Sequence, residues 1–449
     1  MSNNKVIAAI DIGTAKIVAI VGTRDEKGNV SVLGYGEAPS HGVIRGSVQN
    51  VGDVSAAISQ AVKNCQSACG VVFKSVFVGI AGQNIRTIET SHTKFIDKSF
   101  IAQSDIDKLT QEVYNLNKET GEEVIHVIPQ SYMVDGSDVG LNVVGCPGKS
   151  LGGTFYVVIG RANAVQKIRQ SIEMAGLKVL KIVLQSIASG DAVLTDDDKE
   201  VGTLVADIGA GTTDVAIYQD MLLRDISVIP FGGNSITDDI KSACQILSRK
   251  AETLKIQHAS AIPESQFDKT LVVLNNAAGR SDKEVSLADI SAITNARMDE
   301  IVAGIANVLN ESQYGDKISQ IALTGGGSRL KNLSTLVKYR LCRDVQLTKP
   351  RNISADSYPK LFNAEYSTAV GLLVKGIEYM EVYNERLKND IVVPDDSKDD
   401  DQKKPTPDGK EKIDDGKPDK KPVKKPSLFS KLGSMLKDFF TEDEEPSKI

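Results

Sequence analysis

No cysteine pair in this chain has the C-x-x-C spacing of a metal or redox motif, and its four histidines are scattered, which argues against a zinc centre. No apolar run approaches the ~20 residues of a membrane-spanning helix, and Met1–Lys5 do not open a signal peptide. No basic block lies in the folded part and the formal net charge is −6, which argues against a nucleic-acid binder. The rest is ordinary: 41% hydrophobic and 25% charged residues suit a soluble globular protein. At 449 residues the chain is too long for one core, so two or more domains are expected, in the cytoplasm. Cys65 and Cys69 are expected as free thiols packed on a helix.

Two Asp-Ile-Gly turns stand out. Asp11-Ile12-Gly13-Thr14-Ala15-Lys16 lies between the apolar runs Val6–Ile10 and Ile17–Val21. Asp207-Ile208-Gly209-Ala210-Gly211-Thr212-Thr213-Asp214 lies between Leu204–Ala206 and Val215–Tyr218. Each reads as strand, tight glycine turn, strand. Such a turn aims backbone amides at phosphate oxygens, and a carboxylate at the strand end can hold magnesium or its waters. One copy would be read as a plain turn. Two copies could grip one nucleotide from opposite sides. A third element, Gly325-Gly326-Gly327, follows the strand-like Ile318–Leu323 and precedes a helical pattern over Leu330–Leu341. It is either a nucleoside-binding surface or a simple helix-capping loop.

At these residues the chain resembles the actin-like ATPase superfamily, over about its first 385 residues. Within that group it looks like the FtsA family of bacterial cell division. The narrower match rests on His126-Val127-Ile128-Pro129-Gln130-Ser131-Tyr132, on Val228-Ile229-Pro230-Phe231-Gly232-Gly233-Asn234, and on Tyr366-Ser367-Thr368-Ala369-Val370-Gly371. The implied fold is α/β: two lobes around a nucleotide cleft, an inserted small α/β subdomain, and a disordered tail ending in an amphipathic helix.

The expected order along the chain is a first lobe over 1–83, an inserted α/β subdomain over 84–162, and the first lobe again over 163–201. The second lobe takes 202–234, its upper subdomain 235–314 and its adenosine motif 315–349. Residues 350–387 return to the first lobe, with a helix over Tyr366–Tyr383 whose Ala369, Gly371 and Gly376 permit close helix crossing. Ser235–Ile256 and Asp289–Ser312 are expected as helices above the cleft. Residues 388–426, rich in proline and charge, are expected as a disordered linker.

Beyond the linker, residues 427–441 read as an amphipathic helix, followed by an acidic tail over 442–449. Leu428, Phe429, Leu432, Met435, Leu436, Phe439 and Phe440 fall within an arc of roughly 140°, flanked by Lys431 and Lys437. An isolated helix this short is marginal in water and needs a surface. A bilayer interface fits; the protein's own body or a protein partner is the alternative.

The resemblance implies roles residue by residue. Asp11 and Asp207 would position Mg2+ through water. The turn residues Gly13, Thr14, Ala15, Lys16, Gly209, Ala210, Gly211, Thr212 and Thr213 would hold the phosphates of ATP. Gly325, Gly326 and Gly327 would line the adenosine site, and Glu252 and Lys255 would touch ribose and adenine, although their spacing alone suits a solvated helix face. Asp207 and Gln185 are the candidates to orient an attacking water, with slow turnover expected. The implied protein binds FtsZ, itself, cytoplasmic-membrane lipids and other division proteins, but no nucleic acid. A pilus-assembly relative, a small-molecule kinase and a chaperone ATPase are the alternatives on this fold. A chaperone would need a substrate domain, and a kinase a sugar-sized pocket with a carboxylate base.

Overall fold

The computed structural model describes residues 6–25, 28–82, 85–97, 99–116, 118–263, 271–274, 283–351, 353–354, 358–383 and 391–392. The amphipathic segment 427–441, the acidic tail and nearly all of the linker lie outside the described residues.

Two five-stranded sheets share one topology. In the first, Lys178–Leu184, Ser75–Ile80 and Ile7–Ile12 run parallel, and Lys16–Arg24 and Val30–Pro39 continue antiparallel. In the second, Asp344–Leu347, Gln320–Thr324 and Thr203–Ile208 run parallel, and Thr213–Gln219 and Leu222–Ile229 continue antiparallel. The repetition heard in the two turns is therefore a repetition of whole lobes. The central strands are buried on both faces, which is why Ile7–Ile12 and Thr203–Ile208 read as continuous apolar runs rather than alternating ones.

Helix Val51–Cys69 covers the first sheet. Its Asn50 side chain accepts from the amides of Gly52 and Asp53, Gly70 closes it at φ 71°, and Val54, Ile58, Ala61, Val62 and Cys65 form its buried stripe. All five cysteines are free.

Between Ser75–Ile80 and helix Ala162–Met174 the chain builds a separate unit. Ser137–Gly140, Glu122–Val134, Ser150–Arg161 and Ile85–Phe95 form an antiparallel sheet under helix Gln103–Tyr114. Leu109, Val113, Leu151 and Phe155 are fully buried in a core of its own. Two seams hold this unit. Toward the second lobe, Tyr156 donates to Asp225 at 2.9 Å and Gln130 donates to the Leu223 carbonyl at 3.0 Å. Toward the first, His126 Nε2 accepts from the Leu184 amide at 3.0 Å.

Burial, and then Lys181 and Lys375, push the His126 ring from its ordinary 6.5 down to about 3. The neutral ring's contribution to stability is therefore whole above pH 6.5 and lost as pH falls toward 3, by at most about 1.4 kcal/mol per pH unit. Urea midpoints should drop more between pH 7.5 and 5 in the wild type than in His126→Gln; equal drops would contradict this.

Several expected elements shift. The single helix expected over Ser235–Ile256 is two, Gly233–Cys244 and Ser248–His258, broken at Gln245, which takes the left-handed φ of 50°. The helix expected over Leu330–Leu341 begins at Leu333, because Gly326–Arg329 forms a short 3-10 turn and Asn332 turns left-handed. Ile391–Val392, within the span read as linker, pair with Val72–Phe73.

Gln185–Val193 and Ser367–Tyr383 connect the lobes and cross closely. A Cβ on Gly371 would lie 1.8 Å from the Ala188 carbonyl oxygen, and one on Gly376 would meet Ile7 and Phe77 below 3 Å. Asp191 on the first connecting helix pairs with Lys375 on the second at 2.6 Å. Gly371→Ala must force the helices apart, at a cost of about 3 kcal/mol, the upper end of ordinary overpacking. A denaturant midpoint unchanged from the wild type would show that the crossing yields without cost.

Candidate functional site

Both Asp-Ile-Gly turns close in the same way. The Gly13 amide donates to the Lys16 carbonyl at 3.1 Å, and the Gly209 amide donates to the Thr212 carbonyl at 2.9 Å. In each hairpin the flanking pair is in register, Ile12 with Ile17 and Ile208 with Thr213. The turns face each other across a cleft of about 830 Å³ between the lobes, within the range of a small-molecule or cofactor site.

Asp11, Asp207 and Asp214 are buried at the cleft floor. Burial, and then the Asp207 charge, push the Asp11 carboxyl up to about 7 against the pull of Lys16. Burial and the same neighbour push Asp214 up to about 7. Burial raises Asp207 too, against hydrogen bonds from Ser189 and Thr368. Crowded carboxylates of this kind favour a cation. Among the described residues no three His, Cys, Asp or Glu side chains converge as a metal cage. Asp11 and Asp207 would hold a magnesium ion only together with water and phosphate oxygens.

The Gln185 amide donates to Asp11 at 2.9 Å, so it orients that carboxylate. Asp207 accepts from Ser189 on one connecting helix and from Thr368 on the other, the latter at 3.0 Å. Gly325, at φ 83°, lies so close to Asp207 that a Cβ there would come within 2.2 Å of the carboxylate. The glycine run thus gives backbone contact where no side chain fits. The helix N-terminus expected beside it is displaced to Leu333.

Glu252 and Lys255 line the cleft rather than a solvated face. Lys255 donates to the Gly233 carbonyl at 3.0 Å, to Thr237 at 2.9 Å and to Glu252 at 2.8 Å. Lys16 also lines the cleft, with its ammonium 3.4 Å from the Tyr366 ring centre and near Glu365 and Glu37. Thr213 is the one expected turn residue that does not reach the cleft: its buried hydroxyl donates to the Phe231 carbonyl at 2.9 Å. Alternation explains this, since Thr213 is already the first residue of its strand and faces the other side.

Sequence reading missed Asp214 as a third cleft carboxylate, and Ser189 and Thr368 as partners of Asp207. Asp214 and Thr368 both stand inside motifs picked out on other grounds. Ile256, His258 and Lys331, which also line the cleft, carried no pattern to single them out.

Comparison with known proteins gives concordant matches. Residues 204–371 match the family described as cell division protein FtsA, and residues 82–159 match the SHS2 domain inserted in FTSA. The cell division protein FtsA of Pseudomonas aeruginosa is 31% identical over 379 residues, covering 84% of this chain and 91% of that protein. That of Neisseria meningitidis serogroup B is 31% identical over 370 residues, covering 82% and 89%. Among solved structures, the PilM-PilN type IV pilus biogenesis complex superposes with a TM-score of 0.61 at 14% identity, covering 83% of this chain and 98% of the other. MreB5 of Spiroplasma citri bound to ADP superposes with a TM-score of 0.51 at 12% identity, covering 85% and 99%. The two lobes and their cleft are the actin-like ATPase fold.

Proposed function

Because the chain belongs to the FtsA family of cell division proteins, we propose that it binds magnesium-ATP in this cleft, assembles with itself, and tethers the FtsZ ring to the cytoplasmic membrane at the division site. The observation that carries the nucleotide reading is the pair of matched turns facing each other over three buried carboxylates. Their amides at Thr14, Ala15, Ala210 and Gly211 would take phosphate oxygens, with the Thr14 and Thr212 hydroxyls beside them. Magnesium, when bound, would neutralise phosphate and carboxylate charge together.

The chain's own residues then couple the ligand to the lobes. Gln185 holds Asp11, and Asp207 ties its turn to both connecting helices, so a ligand between the turns bears on the hinge. Closure of the lobes would favour assembly into a polymer. The upper subdomain, around 238–258 and 289–312, would meet FtsZ, and other division proteins would join the assembly. The segment 427–441 would lie in the membrane surface on the cytoplasmic side.

The Gln185 amide nitrogen is committed to Asp11, which leaves that side chain less free to orient an attacking water and supports slow hydrolysis. Single-turnover and steady-state assays with magnesium-ATP should show saturable binding and turnover far below the enzyme median of about 10 per second. Turnover above that would replace the switch reading with a metabolic one. A pilus role rests on fold likeness alone, at 14% identity.

A further inference from the structure

We propose that Arg45 binds the terminal phosphate of the nucleoside triphosphate and lets the cleft distinguish ATP from ADP; this rests on the nucleotide reading above. Arg45 sits in a small hairpin that no motif predicted. Val43 pairs with Val48 and Ile44 with Ser47, leaving Arg45 and Gly46 as a two-residue turn at φ 46° and 72°. Turns with two left-handed residues favour Asn or Gly at the first position, and an arginine there is strained by its Cβ.

The turn is wedged between the tips of the two phosphate hairpins. The Gly46 amide donates to the Thr14 hydroxyl at 3.1 Å. On the other lobe, a Cβ added to Gly211 would come within 3.0 Å of the Arg45 Cα and 2.5 Å of the Thr14 hydroxyl. Gly46 lines the cleft, and Arg45, its exposed neighbour, has its Cα where the Thr14 and Gly211 turns meet; a side-chain rotation would bring the guanidinium to the end of a phosphate chain gripped between them.

The other cations near the cleft are already engaged. Lys16 faces Tyr366 and two carboxylates, Lys255 holds Gly233, Thr237 and Glu252, and Arg329 pairs with Glu365 at 2.8 Å. Among the described residues the exposed Arg45 guanidinium has no hydrogen-bond or ion-pair partner. A guanidinium fork matches phosphate oxygens bidentately, and a cation supplied in cis at the terminal phosphate is a recurring device of nucleotide switches. ADP ends short of that contact.

The test measures magnesium-dependent affinities of the full chain for a non-hydrolysable ATP analogue and for ADP by calorimetry, in wild type, Arg45→Gly and Arg45→Lys. Glycine accepts φ 46°, so Arg45→Gly should melt no lower than wild type. It should bind the ATP analogue at least 10-fold more weakly and ADP within twofold of wild type, with Arg45→Lys recovering part of the loss. Equal losses for both nucleotides, or none, would overturn the proposal by reducing Arg45 to a turn residue. A wild type that binds neither nucleotide would overturn the nucleotide reading itself, and this proposal with it.

Discussion

Cut at Pro426, the chain should stay in the supernatant with anionic liposomes and magnesium-ATP, whereas the full chain should pellet. Apolar area decides the balance. If the segment 427–441 forms the expected helix, its seven large apolar side chains would gain roughly 10 kcal/mol on partial immersion, at ~1.5–3 kcal/mol each. Ordering some fourteen residues costs at least as much, at roughly 1–2 kcal/mol per residue. A single anchor is therefore weak and reversible, and firm binding needs several anchors on one assembly. Binding should accordingly rise steeply with protein concentration. Glu442, Asp443, Glu444 and Glu445 follow the segment 427–441, so anionic lipid should attract this tail less than a wholly basic one. Much of the binding should survive moderate salt. Loss of all binding at moderate salt would mean that Lys431, Lys437 and the lysines before the helix carry the contact. Equal pelleting of both chains would place the membrane contact elsewhere.

The sequence was most legible where one local rule sufficed. Glycine turns between apolar runs located both matched hairpins, and Cys65 and Cys69, expected as packed thiols on a helix, lie on the helix Val51–Cys69. Small residues at Gly371 and Gly376 pointed to a close crossing, which the Ala188 contact bears out. What failed was set by tertiary contact. Gln245 breaks a helix whose apolar spacing reads as continuous, since the left-handed turn is chosen by how Gly233–Cys244 and Ser248–His258 pack, not by their pattern. Thr213 has the composition of a phosphate ligand but the wrong side of its strand. Ser189 and Thr368 lie 179 residues apart and meet at one carboxylate, which no local pattern can show.

That meeting point predicts the largest effect inside the folded body. Asp207→Asn should lower magnesium-nucleotide affinity by roughly 30-fold or more, because removing one charge of a buried, hydrogen-bonded set costs about 2–5 kcal/mol. The same substitution should stabilise the nucleotide-free protein. Asp11 and Asp214 stand at about 7 rather than 3.8 through burial first and the Asp207 charge second. A carboxyl with its folded pKa raised this way favours folding most below 3.8, and that advantage is lost as pH rises through 7. Removing the Asp207 charge restores part of it, worth roughly 1 kcal/mol for each pKa unit relieved. The melting temperature of Asp207→Asn should therefore exceed that of the wild type by more at pH 7.5 than at pH 5. Magnesium-ATP at about tenfold the wild-type Kd should then raise the wild-type value and scarcely move the variant's. A variant that is less stable at every pH would mean that Asp207 serves chiefly as the acceptor for Ser189 and Thr368. The opposite pair of results, a firmer fold that no longer answers to nucleotide, is what a site that gives up stability for cation binding must show.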